Sequence, residues 1–267
     1  MIRFEENSLP KLKGVFNNDV FVYASGKSAK EFPLIDYKNK KYIVVNGAIR
    51  VFIEKDIKPL AFIFDDGDFI KENTDLVFIA IAFSEYIFMP KKLFLQYDIE
   101  GNIVSEHRSK IYFIDKINEV DGVKQGSYRF FYLKNILNKN ILFNLSRLFY
   151  KSKNIGFSKD ITDGYFCART IAYVALQLAH YLGFKRVFFV GLDLNSEVGR
   201  FYDKKDPLPT TLDKDYPRHI YPSFKIVAKR VIDDDFKVYN LSIESRLPDS
   251  VIPKITLNKM VGMVGES

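Results

Sequence analysis

Small, amide-bearing and acidic residues follow apolar runs in the N-terminal half of this sequence. Three polar turns each stand directly after such a run: Ser25-Gly26-Lys27-Ser28, Asn46-Gly47 and Asp65-Asp66-Gly67-Asp68. Glycine and serine let a backbone approach a phosphate and offer N–H donors, whereas asparagine and aspartate can bond a base edge or sugar hydroxyls. Each turn alone is more often only a turn. Three turns in phase predict a nucleotide site.

The C-terminal half adds two polar turns on either side of a long apolar helix. The sequence Asp160-Ile161-Thr162-Asp163-Gly164 is predicted to open this helix, which ends at Gly183. The strand Val187 to Val190 follows and leads into Gly191-Leu192-Asp193-Leu194. In an open α/β sheet, ligands bind beyond the carboxyl ends of the strands at a switch point. We therefore expect these turns to share one ligand with the N-terminal turns.

Short apolar runs separated by longer segments predict the fold class. Four runs have the composition of buried parallel strands: Val20 to Ala24, Tyr42 to Val45, Leu60 to Phe64 and Leu76 to Ala80. Segments such as Gly47 to Lys55 are long enough for crossover helices. The prediction is an α/β fold with a Rossmann-like, doubly wound, mainly parallel sheet. Residues 1–267 are expected to form a single domain, with 85–155 as an inserted helical or lid region.

Charge and cysteine content limit the classes of partner and compartment. With 40 Lys and Arg against 33 Asp and Glu, the net charge of +7 suits nucleic acid, an anionic lipid surface or a phosphorylated polysaccharide. Nucleic acid is disfavoured because acidic residues are interleaved with the basic ones and no recognition motif is present. The single cysteine, Cys167, excludes an intramolecular disulfide and fits a reducing cytoplasm. The absence of a leader-like or bilayer-length apolar run predicts a protein that is neither secreted nor transmembrane.

The segment Arg129 to Lys153 mixes aromatic, aliphatic and basic residues. This composition favours a helix pair or a lid. One interpretation is an interfacial segment that docks on anionic lipid, because basic amphipathic helices with large apolar residues bind at that boundary. The other interpretation, a helix packed on its own domain, stays open.

Ordered motifs in the C-terminal half resemble a known family. They are Gly156-Phe157-Ser158-Lys159-Asp160-Ile161-Thr162-Asp163-Gly164-Tyr165, Thr170-Ile171-Ala172, Gly191-Leu192-Asp193-Leu194, Arg200-Phe201-Tyr202-Asp203 and Tyr239-Asn240-Leu241-Ser242. These motifs closely resemble the lipopolysaccharide inner-core transferases of 3-deoxy-D-manno-octulosonic acid (Kdo) of the WaaZ type. The likeness continues through Ser25-Gly26, Val45-Asn46-Gly47 and Asp66. More distantly, the layout is similar to single-domain bacterial sialyltransferases that use CMP-sialic acid.

The resemblance implies a GT-A-like sialyltransferase variant of the fold and a glycosyltransferase activity. The reaction it implies moves Kdo from CMP-Kdo to a sugar hydroxyl of the lipopolysaccharide inner core, with inversion at the anomeric carbon. Tyr202 would support the leaving phosphate. The candidate donor-binding residues are Ser25, Gly26, Lys27, Ser28, Asn46, Asp66, Thr162, Asp163, Gly164, Asp193 and Leu194.

The candidate catalytic residues are His219, Tyr202 and Arg200. The related sialyltransferases use a histidine on the C-terminal lid as general base, and His219 lies in the corresponding region. An imidazole titrates near neutral pH and suits the activation of a hydroxyl. A surface histidine is the alternative. Tyr202 and Arg200 would stabilise charge on the departing phosphate, while Lys27, Lys159 and Arg200 are candidates for the keto-acid carboxylate.

Neither a cofactor nor a metal ion is expected. Asp66-Gly67-Asp68 imitates a metal-binding pair, but a CMP-sugar offers only one phosphate to chelate. Asp163 and Asp160 depart from the sialyltransferase pattern, so the identity of the donor stays open. The alternatives to a Kdo transferase are a sialyltransferase that uses CMP-sialic acid and a catalytically inactive CMP-sugar-binding protein. A nicotinamide or adenylate enzyme is disfavoured, since the first turn has one glycine. The expected partners are a nucleotide-sugar donor, a lipid-linked anionic acceptor and the cytosolic face of the inner membrane; oligomerisation stays open.

Overall fold

The computed structural model describes residues 8–144, 155–197, 199–201 and 211–264. Its strands are β1 (Asp19–Tyr23), β2 (Tyr42–Val45), β3 (Ala61–Ile63), β4 (Tyr86–Met89), β5 (Ile111–Phe113), β6 (Glu119–Val120), β7 (Val123–Lys124), β8 (Ile141–Phe143), β9 (Gly156–Ser158), β10 (Arg186–Val190) and β11 (Lys237–Asn240). Its helices are α1 (Ile49–Glu54), α2 (Gly67–Glu72), α3 (Thr74–Phe83), α4 (Lys91–Gln96), α5 (Ile99–Asn102), α6 (Ser105–Arg108), α7 (Tyr128–Lys134), α8 (Ile171–Leu182), α9 (Leu212–Asp215), α10 (Tyr221–Arg230) and α11 (Leu257–Val264). Within these ranges, none of the helices combines the length and the apolar composition that crossing a bilayer requires.

Seven of the strands form one parallel sheet in the order β11-β10-β1-β2-β3-β4-β5. From β1 the chain moves outward through β2 to β5, and it later returns to the other side of β1 with β10 and β11. This reversal makes the carboxyl ends of β1 and β10 the switch point of the sheet. The predicted α/β fold with a doubly wound, mainly parallel sheet is confirmed.

Helices cover both faces of the sheet because successive residues of a strand point to opposite sides. In β1, Val20 and Val22 pack in the same core as α8. Phe21 and Tyr23 pack in a second core with α1 and α3. Burial on both faces explains why these strands are continuous apolar runs.

The predicted strand Leu76 to Ala80 is wrong, since these residues lie inside α3. The apolar run continues to Phe83, which is too long for a short strand of this sheet. Its buried residues Val77, Ala80 and Ile81 follow helical spacing. The fourth strand is β4, which begins three residues after α3 ends.

The start of α8 also differs from the prediction. Ile161–Asp163 forms only a 3₁₀ turn, and α8 begins at Ile171 after Thr170. The intervening segment cannot be helical because Gly164 (φ 99°), Ala168 (φ 45°) and Arg169 (φ 59°) all have left-handed or related backbone conformations. The predicted end at Gly183 agrees with the structure.

A buried glutamine fixes this non-helical segment to α8. The Gln177 side-chain oxygen accepts the backbone N–H groups of Ser158 and Phe166, each at 3.0 Å. Its amide group donates to the Phe166 carbonyl at 2.8 Å. One side chain therefore satisfies three buried backbone groups and holds the chain between β9 and α8 in place.

The range 85–155, predicted as an insertion, contributes both to the sheet and to its periphery. Its first part supplies β4 and β5 at one edge of the sheet. Beyond β5, the β6–β7 hairpin, α7 and β8 lie outside the sheet, and β8 pairs antiparallel with β9.

Candidate active site

The carboxyl ends of the central strands open into a cleft of about 840 Å³. Its walls come from the turns after β1, β2, β3 and β10 and from the segment before α8. Seven residues predicted from the sequence line it: Ser25, Gly26, Asn46, Asp66, Asp193, Leu194 and Arg200. The structure thus brings together turns that are far apart in the sequence, at the place where doubly wound sheets bind ligands.

The turns after β1 and β10 are in direct contact. The backbone N–H of Gly26 donates to the carbonyl of Gly191 at 2.9 Å. A Cβ atom on Gly26 would lie 2.4 Å from that oxygen and 2.6 Å from Cγ of Asp193. Only glycine allows this approach, so the narrow floor of the cleft depends on its missing side chain.

Asp193 connects three loops at the cleft. Its carboxylate accepts the backbone N–H of Ser28 at 2.9 Å and also the Ser28 hydroxyl. The same hydroxyl lies 2.7 Å from Oγ of Ser242. Ser28 is not among the described residues that line the cleft, and it acts here by orienting Asp193. Lys27 is exposed and is also absent from that lining.

Asn46 lines the cleft and has a buried hydrogen-bond acceptor. Its backbone is left-handed (φ 44°), which asparagine tolerates better than most residues. Its side-chain Oδ1 is buried and has no hydrogen-bond partner within the described part of the chain. A buried unpaired oxygen is costly, so a ligand that donates a hydrogen bond there would gain affinity.

Thr162, Asp163 and Gly164 are not among the described residues that line the cleft, so their role in donor binding stays a prediction. The Thr162 N–H and hydroxyl donate to the Asp160 carboxylate at 3.1 and 2.6 Å. Asp160 also forms an ion pair with Lys13 at 2.5 Å. A Cβ atom on Gly164 would lie 2.9 Å from Cα of Ile117, so this glycine serves packing.

The segment directly before α8 reaches the cleft instead. Cys167, Arg169 and Thr170 line it together with the first residues of α8. Sequence reasoning missed them because the helix was expected to begin earlier. Thr170 carried a usable signal, since threonine directly before an apolar helical run is typical of a helix start.

A carboxylate cluster lines the part of the cleft that follows β3 and β5. Oδ2 of Asp65 accepts the hydroxyl of the buried Tyr165 at 3.1 Å and lies 3.8 Å from Nζ of Lys116. Burial raises the pKa of Asp65 above its ordinary value, although Lys116 and Tyr165 oppose this shift. Burial likewise raises the pKa values of Asp115 and Glu119. Carboxyl groups with raised pKa values in a cleft are suited to proton transfer.

The predicted catalytic residues have different positions. Arg200 lines the cleft and is bridged to Gly26 through the backbone. Nε2 of His219 lies 4.0 Å from Oδ1 of Asp215. Asp215 lines the cleft, whereas His219 is not among the described residues that do so. Tyr202 lies outside the described residues.

Two transferases are among the solved structures to which this chain is similar. The MAf glycosyltransferase from Magnetospirillum magneticum AMB-1 is 12% identical with a TM-score of 0.50, covering 92% of this chain and 34% of that chain. The sialyltransferase CstII from Campylobacter jejuni, in complex with cytidine-5′-monophosphate, is 15% identical with a TM-score of 0.46, covering 88% of this chain and 84% of that chain. The MAf similarity, at this level of identity, supports the fold alone.

Sequence comparison identifies the family. A probable 3-deoxy-manno-octulosonic acid transferase of Escherichia coli (strain K12) is 30% identical over 260 residues, covering 92% of this chain and 85% of the relative. One from Salmonella typhimurium (strain LT2) is 28% identical over 243 residues, covering 91% and 88%. Residues 5–258 match the family model of the 3-deoxy-D-manno-octulosonic acid transferase WaaZ. The chain therefore belongs to the WaaZ family of Kdo transferases and is a glycosyltransferase.

Proposed function

We propose that this protein transfers Kdo from CMP-Kdo to a sugar hydroxyl of the lipopolysaccharide inner core, with inversion at the anomeric carbon. The observation that carries the proposal is the convergence of Gly26, Asn46 and Asp193 at the switch-point cleft of a WaaZ-family chain. Such a cleft suits one nucleotide and a sugar beside it. A lipid-linked acceptor would place the reaction at the cytosolic face of the inner membrane.

The donor would bind at the β1–β10 side of the cleft. The unpaired Oδ1 of Asn46 would accept a hydrogen bond from the nucleoside, and the backbone of Gly26, which lines the cleft, would border the ribose or phosphate. Arg200, beside Gly26, supplies positive charge for the phosphate. Tyr202 remains the proposed support of the leaving phosphate.

A cation is also needed for the keto-acid carboxylate of the donor. Lys27 and Lys159 do not belong to the described lining of the cleft, whereas Arg169 does. An arginine can bind a carboxylate through two parallel hydrogen bonds. Arg169 therefore joins Arg200 as the proposed carboxylate-binding residue.

The chemical step forms a bond from the acceptor oxygen to the anomeric carbon and breaks the bond from that carbon to the phosphate oxygen. The acceptor hydroxyl loses its proton to a base, and CMP leaves with the bonding electrons. His219 is the proposed base, because its partner Asp215 lines the cleft. Asp65 is the alternative that the structure adds, since it lines the cleft and has a raised pKa.

The base can be identified by comparing His219→Ala with Asp65→Asn. We expect the first change to lower kcat by about 10² to 10⁴, which is the usual contribution of a general base. Turnover that is undiminished in His219→Ala but lost in Asp65→Asn would assign the role to Asp65. CMP affinity serves as the control, because neither change should weaken nucleotide binding.

The proposed reaction requires neither a metal ion nor a cofactor. A CMP-sugar presents a single phosphate, and cationic side chains at the cleft can stabilise its charge on departure. CMP release should therefore be the same with EDTA and with magnesium. Loss of activity in EDTA that magnesium restores would contradict this proposal.

The decisive assay incubates the protein with CMP-Kdo or CMP-sialic acid and truncated lipopolysaccharides, followed by mass spectrometry of the products. We expect the mass of one added Kdo and no product from CMP-sialic acid. A product only from CMP-sialic acid would support a sialyltransferase. Binding of CMP by calorimetry without any product would support a catalytically inactive CMP-sugar-binding protein.

A further inference from the structure

Exposed apolar side chains are concentrated in one part of the chain. Thirteen large apolar side chains are exposed among the described residues, and six of them fall between positions 120 and 137. The six are Val120, Val123, Phe130, Leu133, Ile136 and Leu137. We call the region that these side chains form the hairpin–helix surface. Clustering of this kind marks an interaction site, whereas single exposed apolar residues need no explanation.

The local structure directs these side chains outward. Val120 and Val123 face each other across the β6–β7 hairpin and are 56% and 64% exposed. Nζ of Lys124 lies 5.0 Å from the ring centroid of Tyr128, which connects the hairpin to α7. In α7, Tyr132 is buried and packs against the core, so Phe130 and Leu133 are left on the outer side.

Positive charge surrounds the hairpin–helix surface. Residues 122–159 contain eight Lys and Arg and no Asp or Glu, while the rest of the chain contains 32 basic and 33 acidic residues. This segment therefore accounts for the net charge of the protein. Within its described part, Lys124, Arg129, Lys134 and Lys139 are all exposed. The acidic Asp121 at the hairpin is paired with Lys91 at 3.5 Å.

A neighbouring helix extends the same chemistry. Arg230, at the end of α10, donates to the carbonyl of Phe143 at 2.9 Å. It shares a groove with Ile136, Leu137 and Lys139. The exposed side chains of α10 are all basic: Lys225, Lys229 and Arg230. The apolar region is thus bordered by cations from two separate elements.

We propose that the hairpin–helix surface docks on an anionic lipid bilayer. A bilayer offers negative headgroups to the lysines and arginines and an apolar interior to Phe130, Leu133 and Leu137. A second copy of this chain fits poorly, because pairing the two surfaces would bring like charges together. Charge complementarity therefore favours an anionic lipid surface as the partner. The docking does not depend on the proposed transferase reaction.

Docking of this surface would also bring lipid headgroups close to the cleft. Glu119 and Gly122 belong to the β6–β7 hairpin region and line the cleft, and α7 begins at Tyr128 a few residues later. A bilayer bound at this surface would hold its headgroups beside the cleft entrance. This benefit rests on the proposed function, since it requires a lipid-linked acceptor.

Vesicle flotation of the full-length protein tests the docking. Vesicles of phosphatidylcholine alone are compared with vesicles in which about 30% of the lipid is phosphatidylglycerol, which makes their surface anionic. We expect flotation only with the anionic vesicles and a decrease as salt rises, because salt screens exposed charges. Equal flotation with neutral vesicles, or none with either, would overturn the proposal.

Two pairs of variants assign the binding to this surface. Leu133→Ser with Leu137→Ser removes apolar contact, and Lys134→Gln with Lys139→Gln removes charge. We expect the double leucine variant to lose at least about tenfold in vesicle affinity, and the double lysine variant to lose roughly fivefold for each charge removed. The matched controls are Ile35→Ser with Ile79→Ser and Lys38→Gln with Lys58→Gln, which change exposed residues elsewhere.

The controls separate the outcomes. All of these positions are exposed, so the variants should unfold at the same temperature as the original protein. Equal losses in the control pairs would overturn the assignment to this surface. Loss of self-association in sedimentation velocity, with flotation unchanged, would identify a second copy as the occupant. Flotation without any transferase product would leave the docking established and reject the proposed function.

Discussion

Replacement of Gly26 by alanine tests whether the contact between the β1 and β10 turns builds the nucleotide site. The new Cβ atom would lie 2.4 Å from the Gly191 oxygen and 2.7 Å from Oδ2 of Asp193. Ordinary contacts are about 3.5 to 4.0 Å, so the turns must separate by roughly 1 Å. Gly191 cannot move easily, because its own backbone (φ 72°) packs against the Ala24 carbonyl.

The expected cost follows from this overlap. Extra atoms in a close-packed region typically cost about 1 to 3 kcal/mol in the free energy of unfolding. For a chain of this size that corresponds to a decrease in Tm of about 2 to 6 °C. CMP affinity should fall by more than tenfold, since both cleft-lining turns shift.

The assay combines thermal unfolding with CMP titration calorimetry. Gly262→Ala is the matched control, because Gly262 lies within α11 and a Cβ atom there meets nothing within 4 Å. Alanine in a helix interior is more favourable than glycine by about 0.5 to 1 kcal/mol, so this variant should be slightly more stable and bind CMP normally. A Gly26→Ala protein with unchanged Tm and CMP affinity would refute the role assigned to the contact.

Three further changes probe the site and its support. Asn46→Gly keeps the left-handed backbone but removes the unpaired side-chain oxygen. CMP affinity, measured by calorimetry, should fall about tenfold, while Tm stays the same or rises. An unchanged CMP affinity would exclude the contact between Asn46 and the nucleoside. Gln177→Leu leaves three buried backbone groups unpaired. The free energy of unfolding, measured by urea denaturation, should fall by about 3 to 5 kcal/mol. A loss below about 1 kcal/mol, the value of a single hydrogen bond, would contradict the role assigned to Gln177. Burial raises the pKa of Asp65 above 3.8, so the folded protein keeps the carboxyl proton to a higher pH than the unfolded chain does. The stability that this group contributes therefore falls as pH rises from about 3.8 through the folded pKa. Asp65→Asn should therefore have a higher Tm than the original protein at pH 8 and little advantage at pH 4, and an identical difference at both pH values would contradict the pKa shift.

The sequence was sufficient for the features that depend on local composition. Apolar runs such as Val20 to Ala24 predicted buried strands, and the polar residues after them predicted turns. The glycine that ends α8 was also readable, because Gly183 adopts φ 95°. Periodicity failed at Leu76 to Ala80, where a continuous apolar run does not distinguish a buried helix from a buried strand.

Which turns meet was decided by tertiary structure, because the order of strands in a sheet depends on the packing of the whole chain. The sequence alone predicted Gly26, Asn46 and Asp193 as donor-binding residues, and the pairing of β1 with both β10 and β2 brings them to one cleft. The same packing brings Arg169 into the cleft, whereas Thr162, which bonds locally to Asp160, is not among the described residues that line it. It also buries Asp65 beside Tyr165, and the resulting pKa shift arises from a desolvation that no sequence pattern records.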